Sequence, residues 1–155
     1  MQTAIRLVCS GCGMANRIAA AHPAGVPRRG SCHDPLFTAH PIDVDEAAFE
    51  RHRRRGDIPV LVDIRAWWRG PCRTMAPAFD CAALALEPGV RLLKLNADQT
   101  RSTCARLDVR GIPALFLFDN GTVAGRTTGA TDTNAIVRWA RGQITSNAHC
   151  PSYAN

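Results

Sequence analysis

Between residues 41 and 144, short apolar runs alternate with segments in which apolar residues recur at helical spacing. The sequence PIDVD at 41–45 predicts an edge strand. DEAAFERHRRR at 45–55 predicts a helix, with acidic residues in its first turn and arginines in its last, as the helix dipole favours. The nearly continuous apolar run IPVLVDI at 58–64 predicts a buried central strand.

The rest of this pattern completes one layered domain. A helix is predicted at 71–87, with Pro71 at its start and Pro77 in its interior, where proline should kink it. A strand at 90–98 and a short helix at 100–109 follow. A hairpin at 113–129 and an amphipathic helix at 132–144 end the pattern. The order β-α-β-α-β-α-β-β-α predicts an α/β domain, in which helices cover both faces of a mixed sheet.

The two ends of the chain differ from this middle part. Residues 1–38 contain Cys9, Cys12 and Cys32 with several glycines and prolines, and they show little apolar periodicity. A loop-rich module this short usually needs a metal or a covalent staple to fold. We therefore predict a small module at 1–38, a domain at 39–146 and a flexible polar tail at 147–155.

Composition narrows the function classes. The chain has 155 residues, a net charge of +6 carried almost wholly by arginine, and seven cysteines. The basic charge reflects either a GC-rich genome or an anionic partner; without a nucleic-acid-binding motif, we expect no nucleic acid. We see no signal peptide and no membrane-spanning segment, so we expect a cytoplasmic protein without a membrane partner. In a reducing compartment, the cysteines indicate metal binding or thiol chemistry.

Two stretches, VLVDIRAWWRGPCRTMAPAF and RGIPALFLFDNG, together resemble the thioredoxin family over residues 40 to 144. The resemblance implies the thioredoxin fold. It also implies a catalytic set made of Cys72, the buried carboxylate of Asp63 and the neighbouring Lys94. The substrate groove that it implies includes a cis-proline at Pro113. The substrate-binding positions carried over from the family are Trp68, Gly70, Pro71, Ile112, Pro113 and Gly129.

The motif departs from the family's Trp-Cys-Gly-Pro-Cys pattern because Arg69 stands at the first cysteine. In the family, that cysteine attacks a substrate disulfide as a thiolate, and the second cysteine, here Cys72, resolves the mixed disulfide. A guanidinium group is neither nucleophilic nor redox-active, so the two-step cycle is expected to be lost. Arg65 likewise replaces a tryptophan, and we expect Arg65, Arg69, Arg73 and Arg110 to form an anion-attracting patch.

The N-terminal module resembles the zinc ribbon of the thioredoxin-2 subfamily, through CSGCGMANRI and RGSCHDPLF. That ribbon has two C-x-x-C knuckles, whose four thiolates form a tetrahedral zinc site. Here Arg29 interrupts the second knuckle. Zinc could still bind to three thiolates and a fourth donor, and the alternative is a degenerate ribbon without metal. The candidate ligands are Cys9, Cys12 and Cys32, with His33, His22 or Asp34 as the fourth.

The sequence therefore predicts a thioredoxin-2-like protein of protein-disulfide reductase lineage that is impaired or inactive in dithiol–disulfide exchange. One alternative is a redox-inactive module that binds peptide clients in the groove. Another is a monothiol redox sensor at Cys72, whose thiolate the helix dipole and nearby arginines favour and burial opposes. The expected partners are protein or peptide clients and thioredoxin reductase. Cys81 and Cys104 are predicted to be ordinary helix residues.

Overall fold

The computed structural model describes residues 4–9, 12–19 and 36–146. Two strands, β1 and β2, form a separate small sheet; the other five strands form the main sheet, and four helices pack with them. The strands are β1 Ala4–Val8, β2 Ala15–Ala19, β3 Ile42–Val44, β4 Val60–Arg65, β5 Arg91–Asn96, β6 Ala114–Asp119 and β7 Thr122–Thr128. The helices are α1 Glu46–Arg55, α2 Gly70–Leu86, α3 Arg101–Arg106 and α4 Thr133–Ser146.

The main sheet has the strand order β3-β5-β4-β6-β7. The strands β3, β5 and β4 run parallel, whereas β6 and β7 are antiparallel to their neighbours. The predicted edge strand is therefore at the edge and the predicted central strand is at the centre. The first five residues of β4 are all buried, because both faces of this strand are covered.

The two faces of the sheet carry different helices. On one face, α2 and α4 pack over a cluster that includes Leu61, Phe79 and Ile136. On the other face, α1 and α3 cover a cluster that includes Phe49 and Phe116. The side chain of Thr133 in α4 also donates a hydrogen bond to a backbone carbonyl of α2. This arrangement confirms the predicted mixed sheet with helices on both faces.

The described part of the N-terminal module contains regular structure that the sequence analysis did not predict. Strands β1 and β2 pair antiparallel, with Val8 opposite Ala15. Leu7 and Cys9 are buried in a small cluster with Leu36, Phe37 and Ile58. These two strands were not predicted because each is only five residues long, which gives little hydrophobic pattern to recognise. Two short strands need a neighbouring surface to be stable.

Arg91, at the start of β5, joins this module to the main sheet. Its side chain is 2% exposed, and its guanidinium donates hydrogen bonds to the carbonyl oxygens of Leu36 at 2.7 Å and Val8 at 3.0 Å. It also lies over the ring of Phe37, 4.4 Å from the ring centroid. The buried guanidinium, with these two carbonyl partners, holds the N-terminal module against the start of β5.

Candidate functional site

The WWRGPCR stretch forms the turn from β4 into α2. Arg69 is the N-cap residue of α2, and its side chain makes no capping hydrogen bond. Its backbone N–H donates to the carbonyl of Ala66, and its own carbonyl accepts from the N–H of Arg73. Gly70 and Pro71 are exposed in the first turn, whereas Cys72 is 2% exposed. Position 69 therefore faces solvent, and the thiol three residues later lies beneath the surface.

Trp68 lies beside this helix start and is 50% exposed. Its indole Nε1 donates a hydrogen bond to Asp98 Oδ2 at 2.7 Å, which ties the turn to the loop after β5. The guanidinium carbon of Arg69 lies 5.7 Å from the centroid of the Trp68 ring. Arg69 and Trp68 thus form one cationic and aromatic surface at the mouth of the site.

Asp63 is fully buried in β4. Its strand neighbours across the sheet are Lys94 in β5 and Leu115 in β6. Neither carboxylate oxygen has a hydrogen-bond partner among the described residues. Burial raises the pKa of Asp63 to about 7, although the positive charges of Arg65 and Lys94 oppose that rise. Asp63 can therefore hold or release a proton near neutral pH.

Lys94 is next to Asp63 in the strand register, but its ammonium group forms an ion pair elsewhere. Lys94 Nζ lies 3.6 Å from Asp43 Oδ2 at the edge strand β3. Arg65 Nη2 lies 3.7 Å from the other oxygen of Asp43. Both cations act on Asp63 through their charge, without an ion pair to its carboxylate within 4.0 Å in the described structure. The two positive charges therefore offset only part of the cost of burying the Asp63 carboxylate.

The loop before β6 carries the predicted cis-proline. The Ile112–Pro113 peptide bond is cis, and Pro113 is buried. The backbone N–H of Gly129 donates a hydrogen bond to the carbonyl of Pro113 at 2.9 Å. Gly129 has a φ of 96°, a backbone conformation that residues other than glycine rarely adopt. A second cis bond, Glu87–Pro88, follows α2 and was not predicted.

An open groove of about 350 Å³ connects the helix start to this loop. Of the predicted substrate-binding residues, Ile112 lines it together with Arg69, whereas the lining does not include the other five: Trp68, Gly70, Pro71, Pro113 and Gly129. Two lining residues, Arg101 and Cys104 of α3, were not predicted as site residues. No local sequence signal marks them, because α3 is far from the motif along the chain.

The predicted arginine patch has a different membership in the structure. Arg69 and Arg110 line the groove, as expected, and Arg101 joins them. Arg65, the last residue of the central strand β4, does not line it and pairs instead with Asp43 on the edge strand β3. Arg73 is exposed on the first turn of α2 and also does not line the groove.

The predicted metal ligands are only partly described. Cys9 is buried and Cys12 is exposed, on the turn between β1 and β2. In this turn, the N–H of Cys9 donates to the carbonyl of Met14, and the N–H of Gly13 donates to the carbonyl of Cys9. No cluster of three side chains that could hold a metal occurs within residues 4–9, 12–19 and 36–146. Cys32, Arg29, His22, His33 and Asp34 lie outside the described residues.

Comparisons with known proteins agree with the fold. The thioredoxin family model matches residues 40–142, which include the turn into α2 and the cis-proline loop. The chain belongs to the thioredoxin family. The match covers more than half of the chain and contains every strand of the main sheet.

Individual thioredoxins show how far the similarity extends. Thioredoxin C-3 of Corynebacterium nephridii is 35% identical over 138 residues, which cover 89% of this chain and 94% of that protein. This alignment is longer than the chain after residue 38, so it includes part of the N-terminal module. Thioredoxin of Pseudomonas aeruginosa is 36% identical over 108 residues, covering 70% of this chain and all of the relative.

A solved structure agrees with the fold. A single-residue mutant of thioredoxin from Halobacterium salinarum NRC-1 superposes with a TM-score of 0.62 at 24% identity, covering 69% of this chain and 93% of that one. Within the described ranges, every helix is too short or too polar to cross a lipid bilayer.

Proposed function

We propose that this thioredoxin-family protein binds protein or peptide clients in its groove but is inactive, or severely impaired, as a dithiol–disulfide reductase. The observation that carries the proposal is Arg69 at the exposed N-cap of α2, three residues before the buried Cys72. In the family's motif, the exposed position belongs to the attacking cysteine. Here no sulfur is available at that position to form the mixed disulfide with a client.

The three thiols described in the thioredoxin domain, Cys72, Cys81 and Cys104, do not supply a substitute at this position. Cys72 is 2% exposed, so a disulfide in a folded client cannot reach its sulfur without opening of the helix start. Cys104 faces the groove, but burial raises the pKa of its thiol and lowers the fraction of reactive thiolate. Cys81 is exposed on α2, whereas Cys72 is on its buried side. The burial of Cys72 also argues against the alternative in which it is a monothiol redox sensor.

Client binding is supported by the surface that surrounds Arg69. The exposed ring of Trp68, the half-buried Ile112 and the exposed Gly129 offer apolar area and backbone beside the cis-proline. An extended peptide binds such a surface through main-chain hydrogen bonds and gains specificity from the adjoining groove. None of these contacts requires a thiol. In this proposal, the predicted catalytic residues Cys72, Asp63 and Lys94 are inherited from the family's active site but do not complete a catalytic cycle.

We also propose that the N-terminal module is a thioredoxin-2-type ribbon and that the protein is cytoplasmic. Both cysteines of the C-x-x-C knuckle lie on the turn that backbone hydrogen bonds close between Cys9 and Met14 and between Gly13 and Cys9. Cys32 and one donor among His33, His22 and Asp34 would complete a zinc site. The test is the zinc content of the purified protein beside its Cys12→Ser variant. About one zinc per chain, lost in the variant, supports this part of the proposal; no zinc in either protein contradicts it.

The decisive experiment for the reductase is a comparison of the native chain with Arg69→Cys. Both are assayed for reduction of a model protein disulfide with thioredoxin reductase and NADPH, and for reduction driven by dithiothreitol. We expect turnover by Arg69→Cys and a rate for the native chain no higher than that of its Cys72→Ser variant. Arg73→Cys is the matched control, because it adds an exposed thiol to the same helical turn without making a C-x-x-C motif. Cys72-dependent turnover by the native chain would overturn the proposal.

A further inference from the structure

The groove at the site has an unusual charge distribution. It is bordered by three guanidinium groups from three separate segments: Arg69 at the start of α2, Arg101 in α3 and Arg110 before β6. Cys104, Val109 and Ile112 contribute less polar surface between them. Cationic edges around a partly apolar surface suit a ligand that has both a negative group and an aliphatic stem.

Local carboxylates neutralise only part of this charge. Arg110 forms an ion pair with Asp108, with 3.1 Å between Nη2 and Oδ2. Asp98, next to the groove-lining Ala97, accepts the hydrogen bond from the Trp68 indole at its Oδ2; it keeps its negative charge but forms no ion pair with a described arginine. Among the described residues, no carboxylate oxygen lies within 4.0 Å of the guanidinium of Arg69 or Arg101. Two positive charges therefore face the groove without an ion-pair partner.

We propose that clients of this groove carry an acidic segment, whose Asp or Glu side chains bind to Arg69, Arg101 and Arg110. The inference rests on the proposed client binding and names the chemical class of the client. A guanidinium binds a carboxylate with two parallel hydrogen bonds, which gives direction as well as attraction. Arg69 then has a recognition role at the position where the family has its attacking sulfur.

A peptide fits these observations better than a free small anion. The groove is open to solvent, so a small anion would keep much of its water and gain little from a screened charge. A carboxylate on a peptide already held beside Pro113 is presented at high local concentration and loses less freedom on binding. The apolar surface at Val109 and Ile112 is suited to the methylene groups of a glutamate side chain.

Binding should be measured by fluorescence anisotropy with three extended, fluorescein-labelled peptides that differ only in whether a few positions carry Glu, Gln or Lys. We expect the Glu peptide to bind about tenfold more tightly than the Gln peptide at low salt, and this advantage to shrink as salt screens the charges. Arg101→Gln should remove most of the advantage. Arg138→Gln, on the exposed side of α4, should leave it unchanged.

The outcomes separate this inference from the proposed function. Equal binding of the Glu and Gln peptides would overturn the acidic specificity and leave client binding intact. Binding of none of the three peptides would overturn both. If a single-stranded oligonucleotide bound as tightly as the Glu peptide and was equally weakened by Arg101→Gln, the site would recognise polyanions in general, and the peptide assignment would be wrong.

Cys104 offers an independent probe, because its side chain faces the same groove. An anionic and a cationic methanethiosulfonate reagent are compared, and the labelled residues are quantified by peptide mass spectrometry. Besides burial, the negative charge of Glu46 also acts on the Cys104 thiol and raises its pKa, so a preference for the anionic reagent requires the arginines of the groove to outweigh that charge. We expect the anionic reagent to label Cys104 about threefold to tenfold faster relative to the cationic one. Cys81, exposed on α2 next to Asp80, is the internal control and should show no such preference. Equal preference at both cysteines would contradict a positive groove.

Discussion

Asp63→Asn should stabilise the protein, and by an amount that depends on pH. The pKa of Asp63 is raised from 3.8 to about 7 because the carboxyl group is buried without a hydrogen-bond partner in the described structure. Below pH 3.8 the group is protonated in both the folded and the unfolded chain, so it carries no ionisation penalty. Between pH 3.8 and 7 the unfolded chain releases the proton first, which lowers the free energy of unfolding by about 1.4 kcal/mol per pH unit.

The penalty is complete above pH 7, where it reaches about 4 kcal/mol. Asparagine has nearly the same shape but does not ionise, so its gain over aspartate should be close to zero at about pH 4 and about 4 kcal/mol at about pH 8. The assay is urea unfolding followed by tryptophan fluorescence at several pH values. Asp43→Asn is the control, since Asp43 is 79% exposed and should change stability by at most about 1 kcal/mol. A gain for Asp63→Asn that is the same at about pH 5 and about pH 8 would refute the reasoning.

Three further variants test other parts of the structure, each by urea unfolding. Arg91→Met should lower the free energy of unfolding by about 3–5 kcal/mol and expose the β1–β2 amides to hydrogen exchange, because the carbonyls of Leu36 and Val8 lose a charged donor. Arg138→Met is the exposed control, and an equal loss of stability in both variants would contradict the role of Arg91 in holding the N-terminal module. Gly129→Ala should cost about 1–3 kcal/mol through its φ of 96° alone, since no atom lies within 4 Å of the added Cβ; Gly70→Ala meets equally open space without a positive φ, and a similar cost there would be inconsistent with this cause. Phe79→Ala should cost about 3–5 kcal/mol by leaving a cavity in the fully buried α2–sheet cluster, and a loss below about 1 kcal/mol would mean that the core collapses around it.

The main sheet was predictable because its strongest signals are local and agree with one another. The apolar run at 58–64 is too continuous for a surface strand, and the structure has β4 at the centre of the sheet. Asn120-Gly121 identifies a tight hairpin turn, and both residues have positive φ values between β6 and β7. Asp45 before a first-turn acid predicts a helix start, and its side chain accepts a hydrogen bond from the N–H of Ala48.

Features that depend on packing between distant segments were not predictable. Arg91 is a charged residue at the start of a strand, and nothing near it in the sequence indicates that its guanidinium is buried against Val8 and Leu36. The groove shows the same limitation. Arg101 and Cys104 join Arg69 because β4 and β5, which lead into α2 and α3, are adjacent parallel strands, and this is a property of the sheet order rather than of either segment.

Arg69 and Asp63 differ in how much each lowers the stability of the folded protein. Arg69 is an exposed cation at a helix N-terminus, an arrangement worth only about 0.3–1 kcal/mol of unfavourable dipole interaction, so the domain tolerates arginine there. Asp63, by contrast, is buried without a hydrogen-bond partner among the described residues, and at neutral pH its ionisation works against folding. Stability therefore does not account for Asp63, whereas the catalytic role that the resemblance to the family implies would. Under the proposed function, Asp63 and Cys72 are retained from a disulfide exchange site whose nucleophile position is now Arg69. The groove around Arg69 is then the part of the site that remains able to bind a client.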